Sequence, residues 1–457
     1  MCAETPDTVK KNIWNRSITS AINMLLQHDE LAAVVIIAVH LYVDWYLGLA
    51  FSAQLLTIGM LVLIYTHRSP QHPWVKPRAL WLWVVFLVLA LFPATRGISL
   101  SDSAYYYFNT IFNAFLIFWL GLVIAQDVAR VRRLFKMLSI LGALLAIHTI
   151  IQAKTGVLLF KTTRYDASIQ SMLNFELGNT GIHRAEAFLR NPDSNGAWFA
   201  LILLLPLGLF TESSSYREKA LYLVEMFLMV LALLFTYSTG AFIAAAAGIL
   251  SFIIFAGRTR YRIQISLFIV VTVLVLIVVF PSQINHLLQH AQASEEWSLR
   301  FGVWLTGVRV ILAYPLAGIG LGRYIYIQRA EPYRVPAQFI PVYHPHNSYL
   351  EFAALGGIPL ALVFIALLSL ALWLAIRNWI HADANARSIL GGGLAAVITL
   401  SFCSLNNAGW TLTPLLAIGW LILGAISSPL LARGHQSEPV NEEKSGGLHV
   451  HAEQNKG

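Results

Sequence analysis

"VYHPHNSYLEFAALGGIPLALVFIALLSLALWLA", residues 342–375, contains a passage from water to oil within one stretch. Two histidines, an asparagine and a glutamate fall within its start, and nothing after Glu351 is charged. A helix rises about 1.5 Å per residue, so such a run crosses a hydrocarbon core about 30 Å thick. The run 347–375 therefore reads as a membrane span, with a polar cluster where it meets water.

Working outward, similar apolar runs recur along all 457 residues, of which 57% are hydrophobic and 12% charged. A soluble chain would carry about 25% charge. The expected fold is all-α and integral to the membrane, with about twelve spans: 31–46, 49–65, 79–93, 105–125, 137–153, 196–211, 220–237, 240–256, 263–280, 347–375, 388–406 and 411–431. In the first pair only Asp44 and Gly48 mark a turn. No internal repeat is visible. Residues 1–30 lack a signal-peptide pattern and read as a cytoplasmic segment, 31–432 as the membrane domain and 433–457 as a disordered cytoplasmic tail. Cys2 and Cys403 offer neither a disulfide framework nor metal-ligand spacing.

The net charge of +8 is distributed by topology and does not suggest nucleic acid. With the amino terminus inside, 20 of the 31 Lys and Arg residues fall on the cytoplasmic side, and the short external loops carry only Arg96. The exceptions are two long external loops, 154–195 and 281–346. They hold Lys154, Lys161, Arg164, Arg184, Arg190, Arg300, Arg309, Arg323, Arg329 and Arg334. Arginine presents a planar fork suited to phosphate or carboxylate, so an anionic partner is expected there.

In "EEWSLRFGVWLTGVRVILAYPLAGIGLG" the spacing predicts a helix with Trp297, Phe301, Trp304, Val308 and Leu312 on one face, lying at the membrane interface. Arg300 borders that stripe and Arg309 points away. Snorkelling of Arg300 to lipid phosphate is the bland alternative. "PLAGIGLG" lacks the lysine of a nucleotide loop and reads as a tight turn between surface elements. In "NPDSNG", Asn191 and Pro192 break the chain and Asn195 is expected to cap the sixth span, while Arg184 and Arg190, flanking Phe188, make an anion site.

His344 and His346 are separated by Pro345, which favours an extended step, and Asn347 or Ser348 is a natural cap for the next span. A hydrogen-bonded structural role is the commoner fate of an interfacial histidine. A metal site would need further ligands, and His183 and His286 have no informative spacing. A neutral imidazole is better suited to a general base, with Glu351 as the group that orients it.

"RAEAFLRNPDSNG", "YSTGAFIAAAAG", "SLRFGVWLTGVRVILAYPLAGIGLG" and "HPHNSYLEFAALGGIP", in that order over residues 180–360, resemble the signatures of the O-antigen ligase family of bacterial membrane glycosyltransferases. The resemblance implies transfer of a glycan from undecaprenyl diphosphate to a sugar hydroxyl of lipid A–core at the periplasmic face of the inner membrane. Related polysaccharide polymerases and pilin O-oligosaccharyltransferases are the alternatives. It implies an inverting, metal-independent reaction without a cofactor, among membrane lipids. By motif, His346 and Arg300 are the expected catalytic pair. Arg184, Arg190, His344, Asn347, Tyr349 and Glu351 are the expected substrate-binding set.

Two departures stand out. The family often has Ser-Arg-Gly where this chain has Ser238-Thr239-Gly240, which leaves Arg184 or Arg190 to supply the cation. The ligase pattern Gly-x-x-Gly-Thr-Thr begins at Gly357 and fails at Leu360, Ala361 and Leu362. The external loops also lack an Asp-x-Asp pair, so arginine takes the electrostatic role in the expected mechanism. A lipid-linked glycan transporter would favour ionisable groups at mid-membrane, where only His40, Asp44, His148 and Glu225 occur. A non-enzymatic polysaccharide scaffold would leave His346 dispensable.

Overall fold

A computed structural model describes residues 26–46, 51–66, 75, 77–78, 80–155, 184–255, 259–292, 294–338 and 340–432. The segment 1–25, the tail 433–457 and most of the first long loop, with Lys161, Arg164 and His183, lie outside the described residues. Among the described residues every regular element is helical.

Helix α1 (Asp29–Val39) continues as a π-helical turn, His40–Tyr46, and is followed by α2 (Ser52–Thr66), α3 (Leu80–Thr95) and α4 (Leu100–Ile124). Next come α5 (Val128–Thr155), α6 (Pro192–Glu212), α7 (Tyr216–Thr236), α8 (Thr239–Phe255) and α9 (Thr259–Val279). The chain then forms α10 (Pro281–Gln292), α11 (Ser294–Ala313), the short α12 (Ile325–Arg329), α13 (Ser348–His381), α14 (Ala384–Cys403) and α15 (Thr413–Ile426).

Six described helices are long and apolar enough to span a membrane, or seven if Ile269–Val279 and Pro281–Gln289, bent by 98°, count as one span. Four more apolar helices, α2, α3, α8 and α15, are shorter than that. Of the twelve expected spans, six fall on described helices of full spanning length, one on the bent pair and four on the shorter apolar helices, while 31–46 falls on α1 and its π-helical turn. Asp44 does mark the first turn: its carboxylate accepts from the Ser52 and Ala53 amides at 3.0 Å each and so starts α2.

The core is built by close approach of small residues, the usual device where lipid removes the hydrophobic incentive for helices to associate. A methyl group at Gly121 on α4 would sit 2.4 Å from the Leu421 carbonyl oxygen on α15, and one at Gly424 would sit 2.3 Å from that of Phe118. Trp83, Phe118, Phe364, Trp410 and Trp420 pack around this contact.

Helix α13 is broken at Gly357, whose φ of 81° and ψ of 165° are non-helical. The glycine-rich turn fills the break. The Ile319 and Gly320 amides donate to Ala354 and Leu355 carbonyls at 2.9 and 3.0 Å, and the Ile358 amide donates to Pro315 at 2.7 Å. Gly318 adopts φ 61°, and a side chain there would meet the Leu355 carbonyl oxygen at 2.3 Å. Ile319 and Leu321 are buried. The expected turn between surface elements is therefore corrected. Apolar residues alternate with glycines because two stretches of backbone touch.

The same segment reaches the junction of α3 and α4. The Leu321 amide donates to Pro93, and the Ser103 hydroxyl donates to the Leu321 carbonyl at 2.9 Å. The start of α13 is thereby fixed against two other parts of the bundle.

Candidate functional site

The site forms at the end of the bundle where α6, α8, α11 and α13 begin or approach one another. Asn191 caps α6, its side chain accepting from the Ser194 amide at 3.0 Å, and Pro192 occupies the first turn. Asn195, expected as the cap, is instead buried. Its amide nitrogen reaches the Ala185 carbonyl at 3.3 Å, because Asn191 is the residue with the extended conformation a cap requires. The cap places Asp193 in the first turn, where the helix dipole favours a carboxylate.

Asp193 joins two arginines. Arg184 Nη2 donates to Asp193 Oδ1 at 2.7 Å and Arg300 Nη2 donates to Asp193 Oδ2 at 3.0 Å. Arg184 Nε also donates to the Thr236 carbonyl at 3.0 Å, and Arg300 Nη1 to the Asn406 carbonyl at 3.0 Å. The Ser238 side chain bonds to the same carboxylate. The three charged side chains are between 11% and 20% exposed, so the ion triad is largely shielded yet open on one side.

Arg300 comes from the helix expected to carry it, α11. Gly302, Val303, Thr306, Gly307 and Val310 face the protein, while Trp297, Phe301, Val308 and Leu312 are exposed, as an interfacial helix requires. The other arginines of the second long loop do structural work: Arg323 pairs with Asp102 at 3.6 Å, and Arg329 donates to the Arg96 and Ile319 carbonyls at 2.6 Å each. Arg334 pairs with Glu331 at 2.7 Å, and Arg309 is exposed. The expected cationic cluster thus resolves to Arg300 with Arg184.

Arg190 stands apart from that pair. Its electrostatic partner is Glu186, whose carboxyl is pushed up to about 7 by burial while Arg190 pulls it down. Between them Phe188 stacks on His148 at 4.3 Å and meets Tyr42 edge-on at 5.8 Å. Ala187 and Arg190 both have positive φ, 43° and 54°. Such backbone costs roughly 1 kcal/mol or more per residue and persists where packing enforces it.

The histidines lie just before α13. Asn347 caps that helix, accepting from the Tyr349 and Leu350 amides at 3.0 Å each, and its own amide donates to Leu405 at 2.9 Å. The Ser348 amide donates to Ser404 at 2.9 Å. The 404–407 turn therefore holds the histidine segment on one side and, through Asn406, Arg300 on the other.

His346 has φ 48°, a conformation uncommon for a non-glycine residue, and its amide donates to His344 Nδ1 at 3.2 Å. The rings are 4.4 Å apart. Burial pushes the His346 pKa well below the usual 6.5; His344 and Arg300 push it further down, and Asp193 opposes them. His344 is lowered by burial to about 4. Both rings are neutral at physiological pH; the His344 Nδ1 lone pair is taken by the His346 amide, which leaves the lone pair of His346.

Two expected site residues point elsewhere. Glu351 accepts from the Tyr106 hydroxyl at 3.0 Å and the Thr411 hydroxyl at 2.7 Å, so its carboxylate ties α13 to α4 and to the turn before α15. The Tyr349 hydroxyl donates to the Ser401 carbonyl at 3.1 Å. Among the described residues, His, Cys, Asp and Glu side chains form no group of three or more positioned to hold a metal ion.

Asp193 and Asn406 complete the site without having been singled out in the sequence, and Ser238 was named there only as part of Ser238-Thr239-Gly240. Asp193 lay inside a turn-forming motif that fully explained its presence. Asn406 contributes only its carbonyl, which carries no side-chain signal.

All-helical architecture and several long apolar helices define a multi-pass membrane protein with a charged site at one end of its bundle. Residues 225–365 match the family model described as O-Antigen ligase, and this match supports membership of the O-antigen ligase family. It includes Arg300 and His346, whereas Arg184 and Asp193 precede it. No curated protein matches the chain.

Proposed function

We propose that the protein transfers a glycan from undecaprenyl diphosphate to a sugar hydroxyl of lipid A–core, at the periplasmic face of a bacterial inner membrane. The observation that carries this reading is the convergence of Arg184 and Arg300 on Asp193, with neutral His346 beside them. The acceptor oxygen attacks the sugar C1, the C1–oxygen bond to the diphosphate breaks, and inversion results. His346 takes the acceptor's proton. The two guanidiniums bind the diphosphate and receive the negative charge it gains on leaving. Preorganised donors of this kind contribute roughly 3 kcal/mol each to lowering a barrier.

The test is complementation of a strain lacking this gene with wild type or His346→Ala at matched membrane expression, read by gel analysis of lipopolysaccharide. The expected result is a long-chain ladder with wild type, and bare core plus carrier-linked glycan with the mutant. Normal ligation without the protein, with altered polymer length or pilin glycosylation, would transfer the assignment to a polymerase or a pilin transferase.

A further inference from the structure

Phe108, Phe51, Tyr105, Arg323, Tyr324 and Tyr343 form a continuous row of stacked side chains that ends beside the histidines. Phe51 meets Phe108 edge-on at 6.2 Å and Tyr105 at 6.0 Å. The Arg323 guanidinium lies 3.9 Å over the Tyr105 ring and 5.1 Å from the Tyr324 centroid. Tyr324 meets Tyr343 at 6.0 Å, with 71° between the rings. Tyr343 directly precedes His344, whose ring is 4.4 Å from that of His346.

The backbone is shaped around this row. Tyr105 and Phe108, three residues apart, share one face of α4. Phe51 has φ 72°, uncommon for a bulky residue, and such strain persists only where its surroundings enforce it. A methyl group at Gly322 would sit 2.3 Å from Asp102 Oδ2, so glycine lets the chain press against the start of α4. There Asp102 accepts from the Tyr324 amide at 3.4 Å and pairs with Arg323 at 3.6 Å. Arg323 is thus a spacer that fixes Tyr324 relative to Tyr105.

The two ends of the row differ in surroundings. Phe108, Tyr324 and Tyr343 are between 43% and 52% exposed, so each offers a ring face to a ligand. Tyr324 and Tyr343 stand steeply to one another and make an open corner. Such a corner suits a sugar, whose ring face presents C–H bonds to an aromatic surface while its hydroxyls stay hydrated. Phe108 instead lies about 12 Å along the apolar helix α4, counted from Leu100. A molecule with a sugar head and a lipid tail matches both ends.

The row also lies on the side from which an acceptor must come. Arg300 and Asp193 act on the His346 imidazole, whereas burial alone lowers His344. The order is therefore ion triad, His346, His344, Tyr343. In an inverting displacement the attacking and departing oxygens stand on opposite faces of the sugar. A diphosphate held at the triad then puts the acceptor beyond His346, toward Tyr343.

We propose that Tyr324 and Tyr343 form the platform on which the acceptor's glycan stacks, next to the sugar whose hydroxyl reacts, with the lipid tail toward Phe108. The inference rests on the reading of the site given above, and assigns the acceptor's sugars to a surface of their own. Ring faces hold the sugar, because Arg323 is committed to Tyr105 and Asp102.

The experiment measures transfer by full-length protein in vesicles, with donor and acceptor concentrations varied in turn. Tyr324→Ala and Tyr343→Ala should each raise the acceptor KM about tenfold, the order expected for loss of one stacking ring, and leave the donor KM unchanged. Tyr324→Phe keeps the ring and should keep the wild-type acceptor KM. Equal rises in both KM values, or none in either, would overturn the proposal. So would a lowered Tm in lipid nanodiscs with an unchanged acceptor KM, which would make these rings lipid anchors of the kind common at membrane interfaces.

A second measurement uses folded wild type and needs no turnover: saturation-transfer NMR with irradiation of aromatic protons and de-acylated core oligosaccharide as the probe. Saturation should reach the C–H protons of the sugar ring, and its absence would overturn the proposal. Saturation that Tyr324→Ala abolishes, in a protein that transfers no glycan, would keep the platform while removing the transferase reading.

Discussion

Asp193 and Arg300, 107 residues apart in sequence, form an ion pair at 3.0 Å that ties the start of α6 to the middle of α11. The same carboxylate holds Arg184, so one acidic residue sets the separation and tilt of two guanidiniums. Asp193→Ala would leave two largely shielded cations facing each other. We expect a stability loss of about 2–3 kcal/mol, below the full buried-pair value because the triad is partly open. Thermal unfolding in detergent measures it. Asp193→Asn removes the charge but still accepts one hydrogen bond, so a loss close to alanine's is expected, and a much smaller one would argue against an ionic role.

Arg300 uses two guanidinium nitrogens at once, one on Asp193 and one on the Asn406 carbonyl. A lysine carries the charge but not the fork. Both Arg300→Ala and Arg300→Lys should therefore lower glycan transfer by about tenfold or more. Wild-type rates from either variant in a membrane assay would remove Arg300 from the mechanism.

The histidines and Glu186 give opposite pH signatures. The folded protein keeps His346 neutral below 6.5, where the unfolded chain would protonate it, so this contribution to stability falls as pH drops below 6.5. Transfer should accordingly stay flat from about pH 8 down through 6.5 and fall only in stronger acid. A midpoint at 6.5 in the rate profile would show an unperturbed imidazole.

Glu186 has its folded value raised from 4.5 to about 7, so its contribution is present below 4.5 and is lost as pH rises through about 7. Replacing it with glutamine should raise the melting temperature at about pH 8 and leave it unchanged in acid. The same shift at both pH values would mean that its ionisation is not the cause.

Gly357 combines a positive φ with a carbonyl oxygen, that of Leu316, 2.3 Å from where a methyl group would sit. Gly357→Ala should cost at least about 2 kcal/mol. The loss would be read as reduced monodisperse protein on size exclusion, and the histidine segment next to α13 should lose activity with it.

Apolar run length made the helical membrane class legible, and the motifs around Arg300 and His346 marked them as candidates because they carry chemistry at recognisable positions. The span lengths were less legible. The apolar run 79–93 ends near Pro93 and Arg96, yet its helix is too short to count as a span alone, a matter of tilt and packing that hydropathy does not encode. Glu351 looked like a partner for His346 because it lies five residues away, but on a helix that offset turns it toward Tyr106 and Thr411. Arg184 could not be chosen over Arg190 from spacing. The choice depends on a left-handed residue at 190 and on a carbonyl at 236, neither of which has a local sequence signal.

The turn between α3 and α4 looks like an innocuous connection, yet it is fastened to the glycine segment through Pro93, Ser103 and the Leu321 backbone. That segment in turn braces the broken α13. An epitope tag or reporter fused between Arg96 and Ser99 would therefore act as a distant lesion. Topology mapping by insertion there would report a dead protein, although the inserted tag touches neither histidine nor arginine of the site.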